Sequence, residues 1–171
     1  MTLALKRTEK PALLAEVEEY LTQCGMRIAA KDFERPWGGF FVIDENQAER
    51  FCELYFPGVA YASLQISGKL SPKFLVVQPG KRLSWQYHHR RAEIWRLIAG
   101  VAGVITSHTD HESERLEMKA GHPIRLAQGQ RHRLIGLDGW GVIAEIWQHT
   151  VADHPSDEND IVRLQDDFGR H

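Results

Sequence analysis

From Pro11 to Cys24 apolar side chains return every third or fourth position, at Leu13, Leu14, Val17, Leu21 and Cys24, with Glu16, Glu18 and Glu19 between them. That period belongs to a helix with one apolar face. Pro11 suits its first turn and Gly25 its stop. A second, shorter helix is expected over residues 45–56, where Asp44 can cap, Gln47 follows three positions later, and Ala48, Phe51, Cys52 and Tyr55 share a face. From Lys73 onward the pattern shortens to strands, at 73–77, 83–89, 93–99, 103–107, 114–118, 123–126, 132–136 and 142–149. Turn signals separate them at Pro79-Gly80, Gly100, Asp110, Gly121, Gly129 and Asp138-Gly139. Many short strands at this spacing build a sandwich or a small barrel. Residues 153–171 are polar and acidic apart from Ile161, Val162, Leu164 and Phe168, and are expected to pack loosely along the surface.

Composition narrows the class. A chain of 171 residues has room for one domain with a substantial core. Its 21 Lys and Arg are balanced by 23 acidic residues and form no basic block, so no nucleic-acid partner is expected. The apolar run at the N-terminus is too short for a signal peptide, and no stretch approaches membrane-spanning length. Cys24 and Cys52 lie in helical segments outside any CxxC pattern and read as buried free thiols of a cytoplasmic protein.

The chemistry concentrates between Gly80 and Gly100. Gln86 and His88 are two apart on an expected strand, so both leave the same face of the sheet. After residues 89–92 the next strand opens with Glu93, which a tight hairpin returns beside His88. His132 offers a fourth donor at the start of a later strand. An amide oxygen, two imidazoles and a carboxylate suit one divalent ion: zinc, iron, manganese, nickel or cobalt. Four protein ligands leave positions free for water or substrate oxygens. The competing reading is that the four side chains only hydrogen-bond in a polar interior, but strongly polar groups clustered this closely need a reason to be buried.

Gly80 to Gly100 resembles the first cupin motif and Gly121 to His132 the second, with Gln86 where most cupins carry a first His. The segments Arg35-Pro-Trp-Gly38, Pro79 to Trp95, Gly129-Gln-Arg-His-Arg-Leu134 and Asn159 to Arg170 sharpen this to a resemblance to the cupin-type (type II) mannose-6-phosphate isomerases. Arg90 and Ala127 depart from the family pattern, residues 46–71 are longer than it, and the N-terminal helix lies outside it. The resemblance includes no nucleotidyltransferase domain, so sugar-nucleotide synthesis is not expected. It implies a mainly all-β fold, a double-stranded β-helix or jelly-roll barrel with one or two N-terminal helices. Residues 1–34 would form a helical extension and residues 35–171 the cupin domain, within one compact unit.

For function the resemblance implies a metal-dependent aldose–ketose isomerase, converting mannose 6-phosphate to fructose 6-phosphate through a metal-stabilised cis-enediol. Zinc is the first expectation for the ion, with manganese, cobalt, nickel or iron also accommodated. Arg35, Lys73, Lys81, Arg91 and Arg163 are candidates to grip the phosphate, Arg through its planar fork and Lys as a point charge. Arg133 and His89 are candidates for catalysis, although strand alternation turns His89 away from the face of Gln86 and His88. His108, His111, His154 and His171 read as solvated, while His122 and His149 stay open. Trp85, Trp95, Trp140 and Trp147 read as packing residues, with Trp37 at a pocket mouth. Competing functions are a metal-dependent cupin dioxygenase and a non-catalytic sugar-binding cupin. A homodimer is the default expectation, because pairing would cover exposed sheet edges.

Overall fold

A computed structural model describes residues 1–171. Helix α1 spans Lys10–Gln23, with a proline in its first turn and Gly25 at φ 74° beyond its end. Strands β1 (Ile28–Asp32) and β2 (Gly38–Ile43) follow, then a 3-10 turn at Glu45–Gln47 leading into α2 (Ala48–Tyr55) and a single helical turn α3 (Tyr61–Leu64). The remaining strands are β3 (Lys73–Val77), β4 (Trp85–Tyr87), β5 (Arg91–Ser107), β6 (Leu116–Glu117), β7 (Ile124–Leu126), β8 (Arg131–His149) and β9 (Val162–Gln165). All nine strands join one antiparallel sheet. The expected β-rich jelly roll with helices on its N-terminal side is what forms.

The structure departs from the sequence pattern at three points. The strands expected at 93–99 and 103–107 are one strand, β5, and those expected at 132–136 and 142–149 are one strand, β8. Bulges at Leu97/Ala99 and Gly100/Ala102 bend this pair instead of breaking it. The bent pair then serves two wings: β1, β2 and β3 continue from the Gly141–Glu145 part of β8, while β4 and β9 continue from His132. Second, β1 and β2 do not stand out in the sequence pattern, because Gly38 and Gly39 open β2 and β1 carries Ala29, Ala30 and Lys31 exposed. Third, the C-terminal tail is no loose wrapping. Its β9 pairs with β4, and Ser156 and Asp160 are buried.

Alternation along the central strands sorts side chains into two layers. Phe74, Val76, Val142, Ala144, Ile146 and Ile94 meet Leu13, Leu14, Val17 and Phe51 of the helices in the larger core. Leu75, Val77, Trp95, Leu97, Ile143 and Leu134 fill the barrel interior. Removing a fully buried Leu such as Leu13 from water stabilises the fold by ~1.5–3 kcal/mol. Polar residues at inward positions have no such gain, which makes their presence informative.

Candidate metal centre

Ser84, Gln86 and His88 share the inward face of the segment around β4, and Gln86 lies directly across from His132 on β8. Glu93 enters from β5 after the short connection. His88 and His132 are 2% and 1% exposed, and Glu93 is 2% exposed, so three ionisable groups meet out of water. Their donor atoms all lie within 4.8 Å of one another. His88 Nε2 is 3.2 Å from Glu93 Oε1, and His132 Nε2 is 3.3 Å from Glu93 Oε2.

The imidazoles are oriented from behind. His88 Nδ1 sits 2.7 Å from the Asp160 carbonyl and His132 Nδ1 sits 2.9 Å from the Gln130 carbonyl, so each Nδ1 carries the donated proton and each Nε2 presents a lone pair inward. Burial lowers the pKa of His88, consistent with that neutral form. Burial works against ionising Glu93, but the Arg91 guanidinium, whose Nε donates to Oε1 at 2.8 Å, favours the charged form and its carboxyl is held well below the usual carboxylate range. Glu93 Oε2 and His132 Nε2 are buried without a hydrogen-bond partner. Two orphaned acceptors facing each other are costly unless a cation joins them. A tetrahedral shell with bonds of ~2.0–2.1 Å puts neighbouring donors ~3.3–3.4 Å apart, which matches the observed 3.2 and 3.3 Å. The donor set therefore fits a divalent ion, with Arg91 Nη2, 3.2 Å from His88 Nε2, the one contact that the ion would displace. Gln86 is buried beside them, its Oε1 accepting from Ser84 Oγ at 2.6 Å.

Gln86 and Glu93 of this group line a cavity of about 90 Å³. Of the residues expected to grip a phosphate, Arg35, Lys73, Arg91 and Arg163 line it. Lys73 is buried between the rings of Phe40 and Trp147 and contacts Glu158. Arg163 Nε is buried without a partner, and its pKa is lowered by burial and by neighbouring Arg170. Lys81 is a correction: it is exposed on the turn after Gly80, outside the cavity. So is Arg133, which alternation turns to the far side of β8, where it binds the Leu83 carbonyl, Glu112 and Gln165. His89 likewise lies outside the cavity, exposed against Tyr87, and only its backbone N–H reaches Asp160.

Some cavity residues carried no expectation, or a different one. Trp95 and Trp147 form part of its wall, and both donate indole N–H to Glu145, so they are more than packing. Arg170, Glu145 and Glu158 also line it. A signal existed for Glu145: it is a carboxylate at an inward position of the otherwise apolar run Val142–Trp147. Arg170 closes the Asn159 to Arg170 segment, from which only Arg163 was expected at the site.

Comparison with known proteins bears on this geometry. A family model described as "Mannose-6-phosphate isomerase C-terminal" matches residues 44–166. The alginate biosynthesis protein AlgA of Pseudomonas aeruginosa is 32% identical over 130 residues, covering 73% of this chain and 24% of that protein. The mannose-1-phosphate guanylyltransferase ManC of Salmonella typhimurium is 30% identical over 123 residues, covering 69% of this chain and 23% of that protein. The chain thus spans about a quarter of these curated relatives. Among solved structures, an oxalate decarboxylase of Bacillus subtilis superposes with a TM-score of 0.54 at 17% identity, over 79% of this chain and 30% of that one. CapF, a capsular polysaccharide assembling protein of Staphylococcus aureus, gives a TM-score of 0.51 at 16% identity, over 91% of this chain and 42% of that one. Likeness at that identity speaks for the barrel alone. The family match covers both the Gln86–Glu93 segment and His132, and on it this chain belongs to the mannose-6-phosphate isomerase C-terminal family of cupin domains.

Proposed function

We propose that this chain is a metal-dependent aldose–ketose isomerase of a phosphorylated sugar, with mannose 6-phosphate and fructose 6-phosphate as first candidates. The observation that carries the reading is the buried His88–Glu93–His132 cluster, with unpartnered atoms on Glu93 and His132, whose Glu93 lines a cavity that Arg and Lys side chains also line. Gln86, His88, Glu93 and His132 would hold the ion, zinc being the first choice. When bound, a divalent ion supplies Lewis-acid polarisation to adjacent sugar oxygens.

The rest falls to side chains of the chain itself. Arg91 keeps Glu93 ionised and is held in turn by Ser156 Oγ at 2.8 Å and by the Trp147 ring 3.6 Å away. Ser84 fixes the rotamer of Gln86. Arg35 and Arg163 also line the cavity and offer planar donor forks suited to a phosphate. The name of the family and the guanylyltransferase relative both concern mannose phosphates, which supports this substrate class.

The test is direct. Protein supplied with zinc or manganese should convert mannose 6-phosphate to fructose 6-phosphate, and His88→Ala should lose both the bound metal and the activity. Absence of turnover with mannose 6-phosphate and with other aldose phosphates overturns the reading. Unchanged metal content in His88→Ala overturns the ligand assignment.

A further inference from the structure

Isomerisation needs a group that moves a carbon-bound proton, and neither Arg133 nor His89 reaches the cavity. Three carboxyls line it: Glu93, Glu145 and Glu158. Glu93 is committed to Arg91 and the two imidazoles. Glu158 is more than half exposed and contacts Lys73 at the rim. Glu145 remains.

Glu145 is 5% exposed, and each oxygen takes one indole N–H, Oε2 from Trp95 at 2.7 Å and Oε1 from Trp147 at 2.9 Å. These two bonds fix the plane of the carboxyl while leaving each oxygen a second lone pair. The sheet register locates it. Glu145 lies opposite Lys73 on β3 and Trp95 on β5, while Glu93 lies opposite Trp147. Glu93 and Glu145 are therefore diagonal neighbours on one face of the sheet, ~7–8 Å apart. A sugar whose oxygens sat against the cluster containing Glu93 would lie over the sheet face that also carries Glu145.

We propose that Glu145 is the proton-transfer residue, carrying the hydrogen between C2 and C1 of the sugar; the inference rests on the isomerase reading. In the forward step the carboxylate takes the C2 hydrogen as a proton. The C–H electron pair becomes the C1–C2 double bond, and the C1–O1 π pair moves onto O1, which takes a proton from water and leaves hydroxide. In the return step the C1–C2 π pair takes the proton from Glu145 at C1, the O2–H pair forms the C2 carbonyl, and the O2 proton returns to the hydroxide to restore water. Nothing is oxidised overall, and no co-reactant is required. Burial, with Glu93 adding to it and Lys73 and Arg91 opposing, pushes Glu145 up to about 7 in the chain without a metal ion.

The experiment compares wild type, Glu145→Gln and Glu145→Asp, each supplied with zinc. It measures turnover of mannose 6-phosphate, metal content, and calorimetric affinity for mannitol 6-phosphate, which has no carbonyl to isomerise. Glu145→Gln should lose ~10²–10⁴-fold in kcat while metal content and mannitol 6-phosphate affinity stay within a factor of about three of wild type. Glu145→Asp, with its carboxylate withdrawn by one methylene, should fall between. Turnover in Glu145→Gln within tenfold of wild type overturns the assignment. So does joint loss of metal and mannitol 6-phosphate binding, which marks Glu145 as purely structural. Should Glu145→Gln fail to fold, wild-type turnover in Glu145→Asp overturns it instead. A wild type inactive on every aldose phosphate brings down the isomerase reading and this one with it, whereas an active wild type with an active Glu145→Gln brings down only the second.

Discussion

His149 is fully buried, its Nδ1 accepting the Ser156 backbone N–H at 2.9 Å and its Nε2 2.9 Å from Ser71 Oγ. Both ring nitrogens are occupied by bonds of the scaffold, so this histidine is structural, where His132 Nε2 has no partner and His88 Nε2 meets only Arg91. Burial, reinforced by the charges of Lys69 and Arg91, pushes His149 down to about 4. The unfolded chain takes up this proton near pH 6.5. Between those values the unfolded state binds a proton that the folded state refuses, so the stability owed to His149 is lost as pH falls from ~6.5 towards ~4 and changes no further below. At 1.36 kcal/mol per unit the ceiling is about 3 kcal/mol. Asp160, held down to about 2 despite burial by bonds from Ser156 and the His89 and Arg90 backbones, acts in a separate window. Its contribution fades only below pH ~4. Glu145, raised to about 7, gains stability as pH falls over the same range and opposes it, so the decline is read as a difference: urea titrations from pH 7 to pH 4 should show wild type losing stability relative to His149→Asn, whose side-chain oxygen can still accept from Ser156. An unchanged slope in the variant would assign the effect elsewhere.

The element that decides where these side chains point is the bent β5–β8 pair. Its bend depends on close backbone approach, which the glycines permit. A Cβ on Gly136 would stand 1.9 Å from the Gln78 carbonyl oxygen and 2.9 Å from that of Lys81, while the Gly136 N–H bonds Lys81 O at 2.7 Å. Gly136→Ala must therefore push the turn before β4 off β8, and should cost at least ~2 kcal/mol in thermal or chemical unfolding. Gly121→Ala is the control: φ is +78° but no atom lies within 4 Å of the added methyl, so only the local backbone cost of ~1 kcal/mol applies. Equal losses in the two variants would refute the close-approach account. This element also shows why the sequence was only partly legible. Glycine and Asp138-Gly139 are turn signals in a local reading, yet here they mark bulges and a bend within continuous strands, because pairing across β5 and β8 overrides the local preference. Period-two alternation did hold on either side of the bend. It placed Gln86 and His88 inward and His89 outward, whereas Arg133, one residue after inward His132, was assigned from its motif position without that test. Strand β9 was missed because its apolar residues are few and its partner, β4, is far away in the chain.

At the scale of the molecule, one sheet separates two interiors that depend on different chemistry. The layer under α1 and α2 is apolar apart from the Tyr20 and Tyr55 hydroxyls, which bond each other, and Leu13 and Val17 are fully buried in it. The barrel interior is apolar at one end and carries the His88–Glu93–His132 cluster at the other, with buried charge that stabilises the fold only when paired. Leu13 and the cluster share no partner, so their contributions should add. Leu13→Ala leaves a cavity in the helix layer and should lower unfolding free energy by ~2–5 kcal/mol. Zinc, binding the folded state only, should raise it by RT ln(1 + [L]/Kd), about 2.7 kcal/mol at a hundred times Kd. Three proteins followed in zinc and in chelator test the separation. Wild type and Leu13→Ala should gain the same increment from zinc despite different baselines, and His88→Ala should gain little. An increment that shrinks markedly in Leu13→Ala would mean that the helix layer sets the geometry of the cluster through the sheet, and that the two interiors are one cooperative site.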